Sequence, residues 1–125
     1  MAQGYLAKLG GAHYTSESAG TVIGKLTNVE LQVMQEERLP TDYPTHTVYT
    51  FFNAGKIYDH VISICSAAHE ECATYPGNPS LTVWTFEDPA SFKGTRPQRV
   101  ARTREVRDGI KRKVQAFLLG HPATL

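Results

Sequence analysis

Two short apolar segments set the first limit on what this chain can fold into. YDHVISIC (58–65) and LTVWTF (81–86) are rich in β-branched and aromatic residues, and their apolar positions do not alternate strictly with polar ones. A strand wetted on one face alternates, whereas a strand covered on both faces does not. The pair therefore predicts neighbouring strands of a mostly parallel sheet with both faces buried. Pro89, in the EDP that follows the second segment, cannot continue a ladder.

The remaining segments read mainly as helices. Residues 2–9 place Tyr5, Leu6 and Leu9 on one face, with Gly10-Gly11 as the stop. Asn28 is the expected N-cap of a helix over 29–37 that buries Leu31, Met34 and Val33. Residues 47–55 predict a short helix closed by Gly55, although their Val, Tyr and Phe content also suits a strand. A helical turn is expected at 66–71, before the YPGNP breaker at 75–79. Pro97 suits a helix start, and Val100, Val106, Ile110, Val114, Phe117 and Leu118 then recur at helical spacing up to Gly120. HYTSES (13–18) reads as a short strand. Helices alternating with strands indicate an α/β fold: a three-layer domain with a mostly parallel sheet flanked by helices. A length of 125 residues fits one domain, 1–125, and a composition 41% hydrophobic supplies one core.

Charge and hydropathy exclude several classes. No apolar run is long enough to cross a membrane. MAQGYLAKLGG lacks the basic and apolar regions of a signal peptide, so the expected compartment is the cytoplasm. Residues 96–113 carry Arg96, Arg99, Arg102, Arg104, Arg107, Lys111, Arg112 and Lys113 against Glu105 and Asp108. Such a run usually marks the solvated face of a helix. No aromatic residue interleaves with these charges, so nucleic acid is not an expected partner.

The chemistry-bearing residues concentrate at the ends of the two strands. Working groups of an open parallel sheet sit beyond the carboxyl ends of its strands. Cys65 closes one predicted strand and Asp88 lies just past the other. Cys65 and Cys72, the two cysteines of the chain, flank His69 in ICSAAHEEC. Three readings are open. C-x3-H-x2-C offers three soft or borderline metal ligands, but a structural zinc site wants a fourth and the other histidines are scattered. A redox pair needs one thiolate to attack and one to trap. Two ordinary thiols, one buried, need nothing further. Asp88 before Pro89 is either a turn residue or a general acid. Trp84 reads as core. No cofactor and no bound metal are expected.

Taken together, YDHVISICSAAHEECATYPG, LTVWTFEDPASFKGT and REVRDGIKRKVQAFL resemble the thioredoxin-coupled arsenate reductases of the low-molecular-weight protein tyrosine phosphatase superfamily. The family pattern is a buried strand ending in a cysteine, a second cysteine beyond it, a tryptophan strand running into D-P, and a helix with an R-x-x-R-D-x-I core. Here these are Cys65, Cys72, Trp84, Asp88-Pro89 and Arg104 to Ile110. MAQGYLAKLGG and SAGT resemble the family's first helix and second strand.

The resemblance implies a three-cysteine relay. A cysteine in a C-x5-R loop attacks arsenic, and two downstream cysteines resolve the adduct into a disulfide that thioredoxin reduces. By this likeness Cys65 is the intermediate thiol, Cys72 the terminal one and Asp88 the general acid. The family's first strand and C-x5-R loop have no counterpart in these residues, and neither cysteine here is followed by an arginine at that spacing. Arsenate or phosphate binding thus has no evident source, since converging N–H groups and an arginine normally bind such oxyanions. The expectation is an arsenate reductase-like protein, inactive alone in this form. The alternative is a non-catalytic binding or regulatory module on the phosphatase fold. A sheet lacking a central strand also invites pairing into a homodimer.

Overall fold

The computed structural model describes residues 1–20, 25–66, 75 and 80–121. They fall into two compact units. The first contains Met1–Glu17, Leu26–Tyr43 and the chain from Phe92 onward; the second contains Ser18–Lys25 and Pro44–Ser91.

The first unit is helical. Helix α1 spans Ala2–Gly10, α2 spans Asn28–Glu36 and α4, after a third helix in the other unit, spans Arg96–Gly120. The N-cap of α2 is Thr27 rather than the expected Asn28: the Thr27 hydroxyl accepts a hydrogen bond from the Glu30 N–H at 3.2 Å. A shorter polar side chain one residue earlier meets an orphan donor that Asn28, itself already helical, cannot reach. Helix α2 buries Val29, Glu30, Val33 and Met34. Helix α4 starts with a reciprocal cap in which Thr95 and Gln98 each bond the other's backbone N–H.

The inward stripe of α4 is Val100, Thr103, Arg107, Ile110 and Val114. Its spacing alternates between three and four residues, as a helix demands. Val106, Phe117 and Leu118, expected on that stripe, are half-buried at its margins. Val29, Val33 and Val100 form a core cluster with Met1 packed against it. Each such aliphatic side chain contributes roughly 1.5–3 kcal/mol when buried.

A polar knot lies beside this cluster. Arg107 donates to the carbonyl of Val33 at 3.0 Å, to Glu36 at 2.8 Å and to Asp108 at 2.9 Å. Arg104 reaches both oxygens of Glu36, at 2.9 and 2.5 Å. Lys111 pairs with Glu37 at 3.1 Å, and the fully buried Tyr5 donates its hydroxyl to the same carboxylate at 3.2 Å. Hydrogen bonds from Arg104, and then from Arg107, hold the Glu36 carboxyl at about 2. The hydrogen bond from Lys111 likewise holds Glu37 below its ordinary value, while burial and then the Glu37 charge push the Tyr5 phenol up.

Residues 13–18 do not form the expected strand. A 3₁₀ turn covers Gly11–His13, Tyr14 follows with extended backbone, and residues 14–18 join no ladder. Their polar groups are met by helices instead: Gln3 Nε2 donates to the Ser16 carbonyl at 3.1 Å, Ser16 Oγ donates to the Gln3 carbonyl at 3.3 Å, and the Tyr14 hydroxyl donates to the His121 carbonyl.

The second unit holds the strands. Helix α3 spans Val48–Asn53, capped by Thr47, whose hydroxyl accepts from Thr50 N–H at 3.3 Å. Gly55 follows at φ 73°, the left-handed stop expected of it. Strands β1 (Val61–Cys65) and β2 (Leu81–Thr85) pair in parallel, from Val61 opposite Leu81 to Cys65 opposite Thr85. Gly20 and Thr47 make an isolated parallel bridge.

Parallel pairing agrees with the sequence, but burial on both faces does not. Ile64, Leu81 and Val83 are 42%, 42% and 51% exposed; Trp84 is buried, as expected of a core residue, and Ser63 is the buried position of β1. Among the described residues the sheet has two strands, so the apolar pattern exceeds the cover available. Phe51 anchors an aromatic series, with His46 at 4.8 Å and Tyr58 at 6.3 Å between ring centroids, and Tyr58 lies 5.3 Å from Tyr75. The expected turn at 66–71 and most of YPGNP lie outside the described residues. No described helix is long and apolar enough to cross a membrane.

Candidate functional site

Parallel register determines what meets at the strand ends. Both β1 and β2 run in one direction, so Cys65 and the residues after Thr85 emerge at the same carboxyl end. The Phe86 N–H donates to the Cys65 carbonyl at 2.9 Å and extends the pairing one residue beyond the strands. Cys65 is half-buried, and its sulfur is not a free thiol.

Asp88 follows two residues after Phe86 and is exposed. Its Oδ1 accepts from the Ala90 N–H at 3.0 Å, and its carbonyl accepts from the Ser91 hydroxyl at 2.6 Å and the Ser91 N–H at 3.0 Å. These bonds start the 3₁₀ turn Pro89–Ser91. The carboxylate therefore closes a turn in the manner of an Asx turn. The structure thus carries Cys65 and Asp88 to one end of one sheet, and gives Asp88 a structural duty there.

Cys72 and His69 lie outside the described residues, and with them most of C-x3-H-x2-C. Among the described residues, no group of three histidine, cysteine or acidic side chains is arranged to hold a metal ion.

Ser63 escaped the sequence reading. It lies two residues before Cys65, hence on the same face of β1. It is 4% exposed, and its Oγ finds no hydrogen-bond partner among the described residues. A hydroxyl in the middle of the otherwise apolar VISIC was the available signal.

The elements define an α/β protein with a small parallel sheet and a cysteine at the sheet's carboxyl end. Solved structures agree with that class. An arsenate reductase in its reduced state superposes with a TM-score of 0.72 at 20% identity, covering 95% of this chain and 86% of that one. The arsenate reductase from Archaeoglobus fulgidus gives a TM-score of 0.63 at 21% identity, covering 91% and 87%. No protein-family model matches the chain. Sequence relatives are closer. Arsenate reductase 1 of Staphylococcus saprophyticus is 31% identical over 120 residues, spanning 95% of this chain and 86% of that protein. The arsenate reductase of Staphylococcus aureus is 30% identical over the same shares, and that of Oceanobacillus iheyensis 27% identical over 94% and 84%. The chain belongs to the arsenate reductase family.

Proposed function

We propose that this chain is an arsenate reductase-like oxidoreductase on a low-molecular-weight-phosphatase-like framework, and that its part of the chemistry is the thiol relay. Cys65 and Cys72 cycle between two thiols and one disulfide. In the reducing half of the cycle, the dithiol of thioredoxin gives two electrons and two protons to that disulfide and leaves as its own disulfide. The observation that carries this reading is the position of Cys65 at the carboxyl end of a parallel strand, bonded through its carbonyl to the segment that leads into Asp88, in a chain of this family.

Oxyanion capture is a separate matter. Neither cysteine of these residues has an arginine six positions on, because Glu71 and Asn78 stand there. The 125-residue chain is therefore expected to accept electrons from thioredoxin without turning over arsenate. In this reading the family's first strand is not among these residues, Asp88 serves the turn first, and the chain acts in the cytoplasm as one domain.

The test supplies the isolated chain with thioredoxin, thioredoxin reductase and NADPH, with and without arsenate. Oxidised chain should consume about one NADPH per molecule and then stop, arsenate or not, as a single two-electron couple requires. Sustained arsenate-dependent NADPH oxidation would show a complete active site. Oxidised chain that thioredoxin leaves untouched would remove the relay and favour the non-catalytic binding module.

A further inference from the structure

The third residue after Cys72 is anchored. Tyr75, half-buried, donates its hydroxyl to the Lys56 carbonyl. Its ring meets Tyr58 edge-on, with 5.3 Å between centroids and an interplanar angle of 86°, and meets Phe52 at 6.1 Å and 77°. Tyr58 in turn lies 6.3 Å from Phe51, which is 7% exposed. Aromatic pairs favour edge-to-face geometry, so two such contacts and a hydrogen bond hold one ring in one place. All these partners precede β1 and lie in the same unit as Tyr75.

The anchor ends a span that starts at Cys65. Residues 66–74, nine in number, join the end of β1 to Tyr75, and Cys72 is one of them. With both thiols free, docking Tyr75 closes a loop of those nine residues. With Cys65 and Cys72 joined, residues 73 and 74 and the bridge itself separate the two fixed points, a tether of effectively about three residues. The free-energy cost of closing a flexible loop grows as three-halves of the logarithm of its length, so a tether about threefold shorter favours docking by about fivefold. Reach permits both contacts at once: a disulfide and three residues span up to roughly 17 Å, against roughly 13 Å for the length of β1.

We infer that Tyr75 is a positioning residue for the thiol relay: its docking on Tyr58, Phe52 and the Lys56 carbonyl stabilises the Cys65–Cys72 disulfide, and the disulfide stabilises the docking in return. This rests on the relay proposed above and adds to it a residue with no redox chemistry of its own. Linkage makes the two effects equal. Without the anchor the disulfide is easier to reduce by about fivefold, and reduction loosens the Tyr75 contact by the same factor.

The test equilibrates the full chain with glutathione and glutathione disulfide, and reads the disulfide fraction by thiol alkylation and mass. Cys65 and Cys72 give two electrons and two protons to glutathione disulfide, which leaves as two glutathione thiols. Tyr75→Ala should lower this equilibrium constant about fivefold, a potential about 20 mV less negative at roughly 30 mV per tenfold. Tyr75→Phe keeps the ring and loses the bond to Lys56, and Phe52→Ala removes a partner that is 47% exposed. Each should shift the constant the same way by a smaller factor, and these two variants carry the test if Tyr75→Ala does not fold. A merely structural Tyr75 would lower the melting temperature of oxidised and reduced chain alike, whereas the oxidised form should lose more. Variants whose potentials equal that of wild type, or are more negative, overturn the inference and leave the relay standing. A wild type that forms no intramolecular disulfide overturns the relay, and the inference with it.

Discussion

Arg107 donates its Nη1–H to the carbonyl oxygen of Val33 at 3.0 Å, across the contact between α4 and α2. That carbonyl lies in the last turn of α2, where helical partners run out. The Glu37 N–H, its usual donor, bonds Met34 and Gln35 instead. Arg107 thus replaces a missing helical hydrogen bond with a charged one and aligns itself on Glu36. Arg107→Met should leave a buried carbonyl without its donor and cost about 2 kcal/mol, read as a lower urea midpoint. Arg107→Lys should recover less than half, because an ammonium cannot reproduce the planar fork that meets Val33, Glu36 and Asp108 together.

Glu36 makes the helical unit sensitive to acid. Its ordinary value is 4.5, and Arg104 and Arg107 hold it at about 2 in the folded chain. A carboxyl depressed on folding adds stability that is fully present above its unfolded value and is lost as pH falls through the folded one. Melting temperature should therefore decline between roughly pH 5 and pH 2 through this group. Glu36→Gln should start lower at neutral pH and lose part of that slope. An unchanged slope in Glu36→Gln would mean that the ion pairs with Arg104 and Arg107 do not form in solution.

The same arginine marks what the sequence conceals. Helices α1, α2, α3 and α4, both strands and their parallel pairing follow from period, turn residues and breakers, because those signals are local. The inward stripe of α4 follows at Val100, Ile110 and Val114 but not at Thr103 and Arg107, which occupy positions where hydrophobic periodicity looks for aliphatic residues. Only the proximity of the α2 carboxyl end explains a buried guanidinium. Residues 13–18 failed for a related reason: Gln3 and Ser16 satisfy each other's backbone, a tertiary bond that strand propensity cannot anticipate. Of the candidate site, the sequence locates Cys65 at the end of β1 and Asp88 just past the end of β2, which is where they lie. The duty of Asp88 in its turn became visible only with the Ala90 bond.

The start of α4 rests on a narrow geometry. Thr95 and Gln98 cap each other, and Gly94 just before them sits at φ 111°. A β-carbon at Gly94 would lie 2.5 Å from Gln98 Oε1. Thr95→Ala should cost about 1 kcal/mol. Gly94→Ala should cost at least as much, because it adds backbone strain to the displaced Gln98. The double variant should lose less than the sum in thermal unfolding, since either change already breaks the reciprocal cap.

Asp88 allows its two readings to be separated by one atom. Asn at this position keeps an oxygen that can accept from the Ala90 N–H, whereas Ala removes it. Asp88→Ala should therefore destabilise the turn by about 1 kcal/mol, and Asp88→Asn by a few tenths at most. Both variants are measured by chemical denaturation, with Trp84, the sole tryptophan and a buried one, as the fluorescent reporter. If Asp88→Asn falls as far as Asp88→Ala, the charge rather than the acceptor holds the turn. If it melts like wild type, the carboxylate's charge is dispensable to the fold and the acceptor oxygen alone holds the turn.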